Sequence, residues 1–151
     1  MDRSPEDLGL DLIYDVAHNI AKWETHEGQK LLVHRKGATR ALPPGADDLP
    51  AEYKATGQPV IIGGSMETGS YLLAGVESGD QTFYSTAHGS GRTMSRRQAK
   101  KQFHGQTLQR QMEERGIYVR TASFSGLAEE AGGAYKDIDE VILATELAGI
   151  S

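Results

Sequence analysis

Apolar residues fall along this chain in two rhythms. Leu12, Ile13, Val16, Ile20 and Trp23 recur every three or four positions, which predicts a helix within residues 8–27 whose polar face carries His18, Asn19 and Lys22. Residues 30–33 form a short β-prone run, and residues 34–45 read as a loop holding His34, Arg35, Lys36 and Arg40 and stopping on Pro43-Pro44-Gly45. Residues 58–62, 71–76 and 81–86 are apolar or β-branched runs separated by Gly63-Gly64 and Ser78-Gly79-Asp80, as consecutive strands would be. Ser95 and Gln98 have capping-box spacing ahead of a proline-free stretch, so one long helix is predicted over 94–114, ending at Gly116. Residues 117–121 read as a strand, 126–131 as a short helix and 138–147 as a terminal helix with Ile138, Val141, Ile142 and Leu147 on one side. These elements predict an α+β fold, central mostly antiparallel strands flanked by helices, forming a single domain over residues 1–151.

Composition narrows the chemistry. With 151 residues and 38% hydrophobic positions the chain is long enough to bury a core of its own. No apolar run reaches the ~18 residues of a membrane helix, and the acidic start Met1-Asp2-Arg3-Ser4-Pro5-Glu6-Asp7 lacks the basic and apolar regions of a secretory signal. The expectation is a cytoplasmic chain with no membrane partner. The absence of cysteine excludes disulfides, Cys-ligated zinc, iron–sulfur clusters and a thiol nucleophile within this chain. A net charge of -5 argues against nucleic-acid binding through bulk charge and leaves that role to local patches. Eighteen glycines exceed the usual ~7% share, so much of the backbone is expected in tight turns or close approaches.

The glycines matter most where they meet chemistry-bearing side chains. In Ser85-Thr86-Ala87-His88-Gly89-Ser90-Gly91-Arg92-Thr93-Met94-Ser95-Arg96 a histidine and a glycine bend join a predicted strand to a predicted helix. Unsatisfied amides at such a junction attract anions, glycines let a phosphate approach them, and Arg92 and Arg96 offer bidentate contacts. An imidazole there has three roles open to it: metal ligand, proton carrier, or nucleophile on phosphorus. Gly63-Gly64-Ser65-Met66-Glu67-Thr68-Gly69-Ser70-Tyr71 is a second glycine-rich connection, with Ser65, Thr68 and Ser70 hydroxyls suited to a base, ribose or phosphate, or simply to a solvated loop. His18, with Asp15, Asn19 and Lys22 in helical reach, offers one metal-binding nitrogen and has no second histidine at ligand spacing. Arg35, Lys36 and Arg40, and the Arg96-Arg97 and Lys100-Lys101 pairs, are either solvated faces or a basic track for an RNA backbone.

Several segments in order resemble one family. Tyr14-Asp15-Val16-Ala17-His18-Asn19-Ile20-Ala21-Lys22 is followed by Val33-His34-Arg35-Lys36-Gly37-Ala38-Thr39-Arg40-Ala41 with Pro43-Pro44-Gly45, then by Gly64-Ser65-Met66 and Ser70-Tyr71. His88-Gly89-Ser90-Gly91-Arg92 with Met94-Ser95-Arg96 comes next, and Gly126-Leu127-Ala128-Glu129-Glu130-Ala131 precedes Ala134-Tyr135-Lys136-Asp137. Together they resemble the RtcB family of RNA-splicing ligases, over the C-terminal third or so of a typical member. The resemblance implies a GTP- and manganese (Mn2+)-dependent enzyme that joins an RNA 3′-phosphate or 2′,3′-cyclic phosphate to a 5′-hydroxyl. It implies that His88 is the residue that becomes guanylylated, and that Gly89, Ser90, Gly91 and Arg92 cradle and neutralise phosphate. By the same carry-over Gly64, Ser65, Met66 and Ser70 contact the guanine nucleotide, Tyr135 lies near the guanine pocket, and His18 is one manganese ligand. The implied partners are broken or spliced tRNA ends, a complementary N-terminal ligase half and an archease-type activator.

Departures from the family pattern qualify that reading. Glu67 stands where the family usually has glycine, which sets a carboxylate beside the implied nucleotide site and is expected to weaken GTP binding by repulsion. Gly63 replaces a usual proline and Ser90 a usual alanine. Family members run on beyond the counterpart of Ser151 to a lysine that contacts guanine, and the N-terminal part that carries the Cys, Asp and remaining His ligands of the metal pair is not in this sequence. The expected function is therefore that ligase, as a fragment or split subunit, and the alternative is a non-catalytic nucleotide- or RNA-binding remnant of it.

Overall fold

A computed structural model of the chain describes residues 3–151. After a 3-10 turn at Glu6–Leu8, the chain is irregular until β1 (Asn19–His26), which pairs antiparallel with β2 (Gln29–Lys36) through a two-residue turn at Glu27 and Gly28. Both turn residues have positive φ, 50° and 77°, the geometry whose twist matches a β-hairpin. The helix expected over 8–27 is thus replaced by a loop and a strand. Ile20, Glu24 and His26 turn inward from β1, opposite the inward Leu31, Val33 and Arg35 of β2, while Trp23 faces out at 65% exposure. Two of the inward positions on β1 are polar, so the alternation of a strand was masked and the remaining apolar residues mimicked a helical period.

Gly37, at φ 69°, turns β2 into β3 (Ala38–Arg40), where a loop was expected. β3 pairs antiparallel with β6 (Ser85–Ala87), and β4 (Pro59–Ile62) with β5 (Tyr71–Ala74). The strands therefore form three two-stranded antiparallel ladders, and a 3-10 turn at Glu77–Thr82, followed by Phe83 and Tyr84 at positive φ, replaces the expected 81–86 strand up to Ser85.

Helices follow. α1 (Arg96–Gln102) opens on the Ser95–Gln98 capping box, and α2 (Gly105–Glu114) ends before Gly116. The single helix expected over 94–114 breaks because Phe103 and His104 are extended, which turns the Phe103 ring into the core formed by Leu108, Met112, Leu127 and Ala131. Gly105 starts α2 in contact with α3 (Phe124–Glu129): a Cβ on it would lie 2.0 Å from the Phe124 carbonyl oxygen. Residues 117–121 are not a strand. Ile117 and Val119 pack on the same core and the Val119 carbonyl accepts from Gln109 Nε2 at 2.8 Å, with no neighbouring strand to extend a ladder. α4 (Ile138–Leu147) is capped by Asp137, whose carboxylate accepts from the Asp139 and Glu140 amides. The observed class is α+β, as expected. Its α-helices all lie C-terminal to the strands, and no helix of the described residues is long and apolar enough to cross a membrane.

Candidate functional site

β6 ends at His88, and the bend that follows is clasped to the second glycine segment through the main chain. The Gly63 amide donates to the His88 carbonyl at 3.0 Å, and the Ser90 amide donates back to the Gly63 carbonyl at 2.8 Å. The approach leaves little room for side chains, since a Cβ on Gly89 would stand 3.3 Å from the Gly63 oxygen. At Gly64 a Cβ would collide with the Gly69 oxygen at 2.2 Å and Thr68 Oγ1 at 2.4 Å. Close backbone contact accounts for glycine at both positions.

His18 reaches the same place from the other side. Its carbonyl accepts from the Gly37 amide at 2.9 Å, the Gly37 carbonyl accepts from the His88 amide at 3.3 Å, and the two imidazoles stack with centroids 4.0 Å apart and planes 5° from parallel. His18 is exposed and His88 half-buried. Burial first, and the adjacent His18 second, lower the proton affinity of His88 below its ordinary value, favouring the neutral ring with a free lone pair. Nδ1 of His88 and Oγ of Ser90 are enclosed without hydrogen-bond partners, as is Oγ1 of Thr39 on β3. Unpaired buried polar atoms are costly, and two of these three sit on the glycine bend itself.

In the 63–70 loop, Thr68 Oγ1 accepts from the Ser65 amide at 2.8 Å and Ser70 Oγ from the Gly64 amide at 3.4 Å, so these hydroxyls close the loop on itself. Met66 turns the other way and packs on the Leu108–Met112 core, anchoring the loop to the helices. Arg92 and Tyr135 form an isolated antiparallel bridge. The Arg92 guanidinium donates to the carbonyls of Met94 at 3.1 Å and Glu129 at 2.5 Å and to the Tyr135 hydroxyl at 2.9 Å, lies 3.4 Å from Glu130, and stacks 4.7 Å from the Tyr135 ring centre. Tyr135 in turn donates to the Glu130 carboxylate. That bond first, with Arg92 and Arg96 behind it, holds the Glu130 carboxyl below its ordinary range, while burial and then Glu130 push the Tyr135 hydroxyl up.

The chain therefore brings Ser65, Ser70, His88, Gly89 and Ser90 onto two clasped loops, with His18 stacked on His88 and Tyr135 tied in through Arg92. Other expectations are corrected. Arg35 does not face a phosphate: it is buried, paired in bidentate fashion with Glu24 at 2.6 and 2.8 Å, and bonded to Ser85 Oγ and the Phe83 carbonyl. Burial alone would raise the Glu24 carboxyl, but the hydrogen bonds of Arg35 and His26 outweigh it and leave Glu24 below its ordinary value. Arg40 pairs with Asp48, and Arg96 and Lys100 lean on Glu129, so these three cations of the basic track are matched by acid. Sequence reasoning missed Glu24, Glu129 and Glu130. The Glu27-Gly28 turn was the one local signal that would have paired Glu24 with the strand carrying Arg35.

Donor chemistry separates the two implied cofactors. A half-buried imidazole and the hydroxyls of Ser65, Ser70 and Ser90 on the glycine-lined loops suit a nucleotide phosphate. No group of three or more His, Asp or Glu donors occurs among the described residues, so they do not make a manganese site by themselves, and His18 offers a single nitrogen.

Comparison with known proteins gives a consistent picture. The family model for tRNA-splicing ligase RtcB matches residues 1–151. The chain is 52% identical over 154 residues to the tRNA-splicing ligase RtcB of Pyrococcus abyssi, covering 99% of this chain and 17% of that protein. It is 54% identical over 146 residues to the RNA-splicing ligase RtcB of Mycobacterium tuberculosis, covering 94% of this chain and 34% of that protein. The tRNA-splicing ligase RtcB of Aeropyrum pernix is 47% identical over 152 residues, with 98% of this chain and 32% of that protein covered. The chain thus spans between 17% and 34% of the length of these relatives.

Proposed function

The chain belongs to the RtcB family, and from that premise we propose that it is the nucleotide-binding part of a GTP-dependent RNA ligase with His88 as its nucleophile. The reaction class is the joining of an RNA 3′-phosphate or 2′,3′-cyclic phosphate to a 5′-hydroxyl. When bound, GTP supplies the guanylate that activates the RNA 3′-phosphate for displacement.

His88 carries this reading. Its ring is biased towards the neutral form, its Nδ1 is enclosed without a partner, and the bend after it is fixed by paired main-chain bonds to Gly63. A nucleophile on phosphorus needs a lone pair at working pH, and the bias of His88 towards its neutral ring supports that role. Ser65, Ser70 and Tyr135 border the clasp and are assigned to the nucleoside. Arg92 orients Tyr135 and leaves phosphate neutralisation to other cations.

His18 is assigned as one ligand of a manganese completed by donors from outside the described residues, in the same polypeptide or a partner. The matched relatives are three to six times longer than the aligned region, and the remaining donors are assigned to the counterpart of that further length. A second reading, a nucleotide- or RNA-binding module without chemistry, is favoured by the lone metal donor. Mixing the chain with a Cys- and His-bearing ligase half and supplying RNA fragments with 3′-phosphate and 5′-hydroxyl ends distinguishes them. Joined RNA that needs GTP and vanishes in His88→Ala supports the ligase; nucleotide binding without joining under every pairing supports the module.

A further inference from the structure

We propose that Glu67 is a positioning residue that locks the 63–70 loop to the turn before Tyr135, so that the two sides of the nucleotide site are held as one unit; the proposal rests on the nucleotide reading above. Its carboxylate is not directed at a phosphate. Oε2 accepts the Gly132 amide at 2.5 Å, Oε1 lies 3.6 Å from Arg115 Nη1, and the Glu67 carbonyl accepts from Arg115 Nη2 at 3.1 Å. The repulsion expected of a carboxylate at this position is thereby answered by a cation and an amide that the chain itself provides.

Gly132 is matched to this contact. A Cβ on it would stand 2.4 Å from Glu67 Oε2 and 3.1 Å from Ser65 Oγ, so a side chain at 132 would push the Glu67 carboxylate away from the amide it accepts. That turn is joined in its other direction to the histidine bend: the Thr93 amide donates to the Ala134 carbonyl at 2.9 Å and the Lys136 amide to the Gly91 carbonyl at 3.0 Å. With the Gly63–His88 clasp, these bonds close a circuit that runs from the histidine bend through the turn at Gly132, across Glu67, and back through the glycine loop. Between the 63–70 loop and the turn at Gly132 the link is the Glu67 side chain; the bonds named from that turn to the histidine bend, and from the bend to Gly63, are main-chain bonds. A glycine at 67 would have no atom to bridge this gap, so the side chain of Glu67 is what joins the loop to the turn.

The test uses the full chain, GTP as probe, calorimetric affinity, and amide exchange of Gly132 followed by NMR. Coupling between loop and nucleotide is reciprocal, so GTP should slow Gly132 exchange in the unsubstituted protein. Glu67→Gly should expose the Gly132 amide and weaken GTP binding about tenfold, as expected for loss of one hydrogen bond to a charged group. Glu67→Gln keeps an acceptor oxygen and should remain within about threefold of the parent. A purely structural role would lower thermal stability and Gly132 protection in Glu67→Gly while leaving GTP affinity unchanged, and that outcome overturns the proposal, as does Gly132 exchange that ignores GTP. The exchange measurement needs no variant and decides the matter even if Glu67→Gly fails to fold. If the parent protein binds no GTP the nucleotide reading itself falls and takes this proposal with it, whereas parent-like binding by Glu67→Gly removes this proposal alone.

Discussion

Replacing Arg92 with lysine separates two roles that the sequence leaves confounded, charge for a phosphate and structure for the site. Lysine keeps the charge but loses the planar fork. In the parent the fork serves the Met94 and Glu129 carbonyls and the Tyr135 hydroxyl, and it covers the Tyr135 ring at 4.7 Å. One lysine nitrogen can satisfy about one of these acceptors. Two lost bonds at ~1 kcal/mol each, with ~0.5–1 kcal/mol for the ring contact, give a destabilisation of about 3 kcal/mol. The Glu130 ion pair adds little, because both side chains are partly exposed, at 22% and 38%. With a urea slope of ~2 kcal/mol/M, the unfolding midpoint should fall by about 1.5 M. Urea titration at pH 7, followed by tryptophan emission and by far-UV circular dichroism, measures it. Tyr135→Phe in the Arg92→Lys background should cost less than in the parent, since the two residues share the contact. An Arg92→Lys protein with an unchanged midpoint and weakened nucleotide binding would refute this reasoning and return Arg92 to the phosphate.

Two further perturbations probe the frame around the site. Arg35→Met strands a carboxylate that is 12% exposed and should cost ~3–5 kcal/mol, whereas Arg35→Met with Glu24→Leu should recover most of it, read from denaturant midpoints. Because the folded Glu24 carboxyl lies below its ordinary value of 4.5, the unfolded chain takes up the proton first. Its stabilisation is complete above pH ~4.5 and is lost as pH falls through the lower folded value, so the acid limb of a stability–pH profile should flatten in Glu24→Gln. Gly105→Ala inverts the usual helix preference: alanine normally gains up to ~1 kcal/mol, yet here its Cβ meets the Phe124 oxygen at 2.0 Å, and a loss of ~1–3 kcal/mol is expected by thermal melting.

How far the sequence reached depends on how local each determinant is. α4 was placed with the right bounds because the apolar spacing of Ile138, Val141, Ile142 and Leu147 lies within the element. The start of α1 followed from Ser95 and Gln98 for the same reason. The first hairpin was hidden because its buried face carries Glu24, His26 and Arg35, whose burial is stabilised by partners far along the chain, Ser85 being 50 residues from Arg35. The break between α1 and α2 depends on Phe103 finding the core and on Gly105 meeting Phe124, neither of which periodicity records. The site shows the same division. The glycine segments around Gly63 and Gly89 were legible as places of close approach, and the structure clasps them together. The fate of the arginines was not legible: Arg92 and Glu130 are 38 residues apart, and only the fold brings that acid to that base. Glu67 was read as a liability until Arg115 and Gly132 were in view.

The account turns on one imidazole, and trypsin isolates it, because the peptide spanning residues 55–92 contains His88 and no other histidine. The protein, alone and with a Cys- and His-bearing ligase half, is incubated with GTP labelled at the α-phosphate and with manganese, digested, and mapped for acid-labile label. The account predicts label on that peptide alone, lost in His88→Ala. Label on another peptide, or none under any pairing, would contradict it.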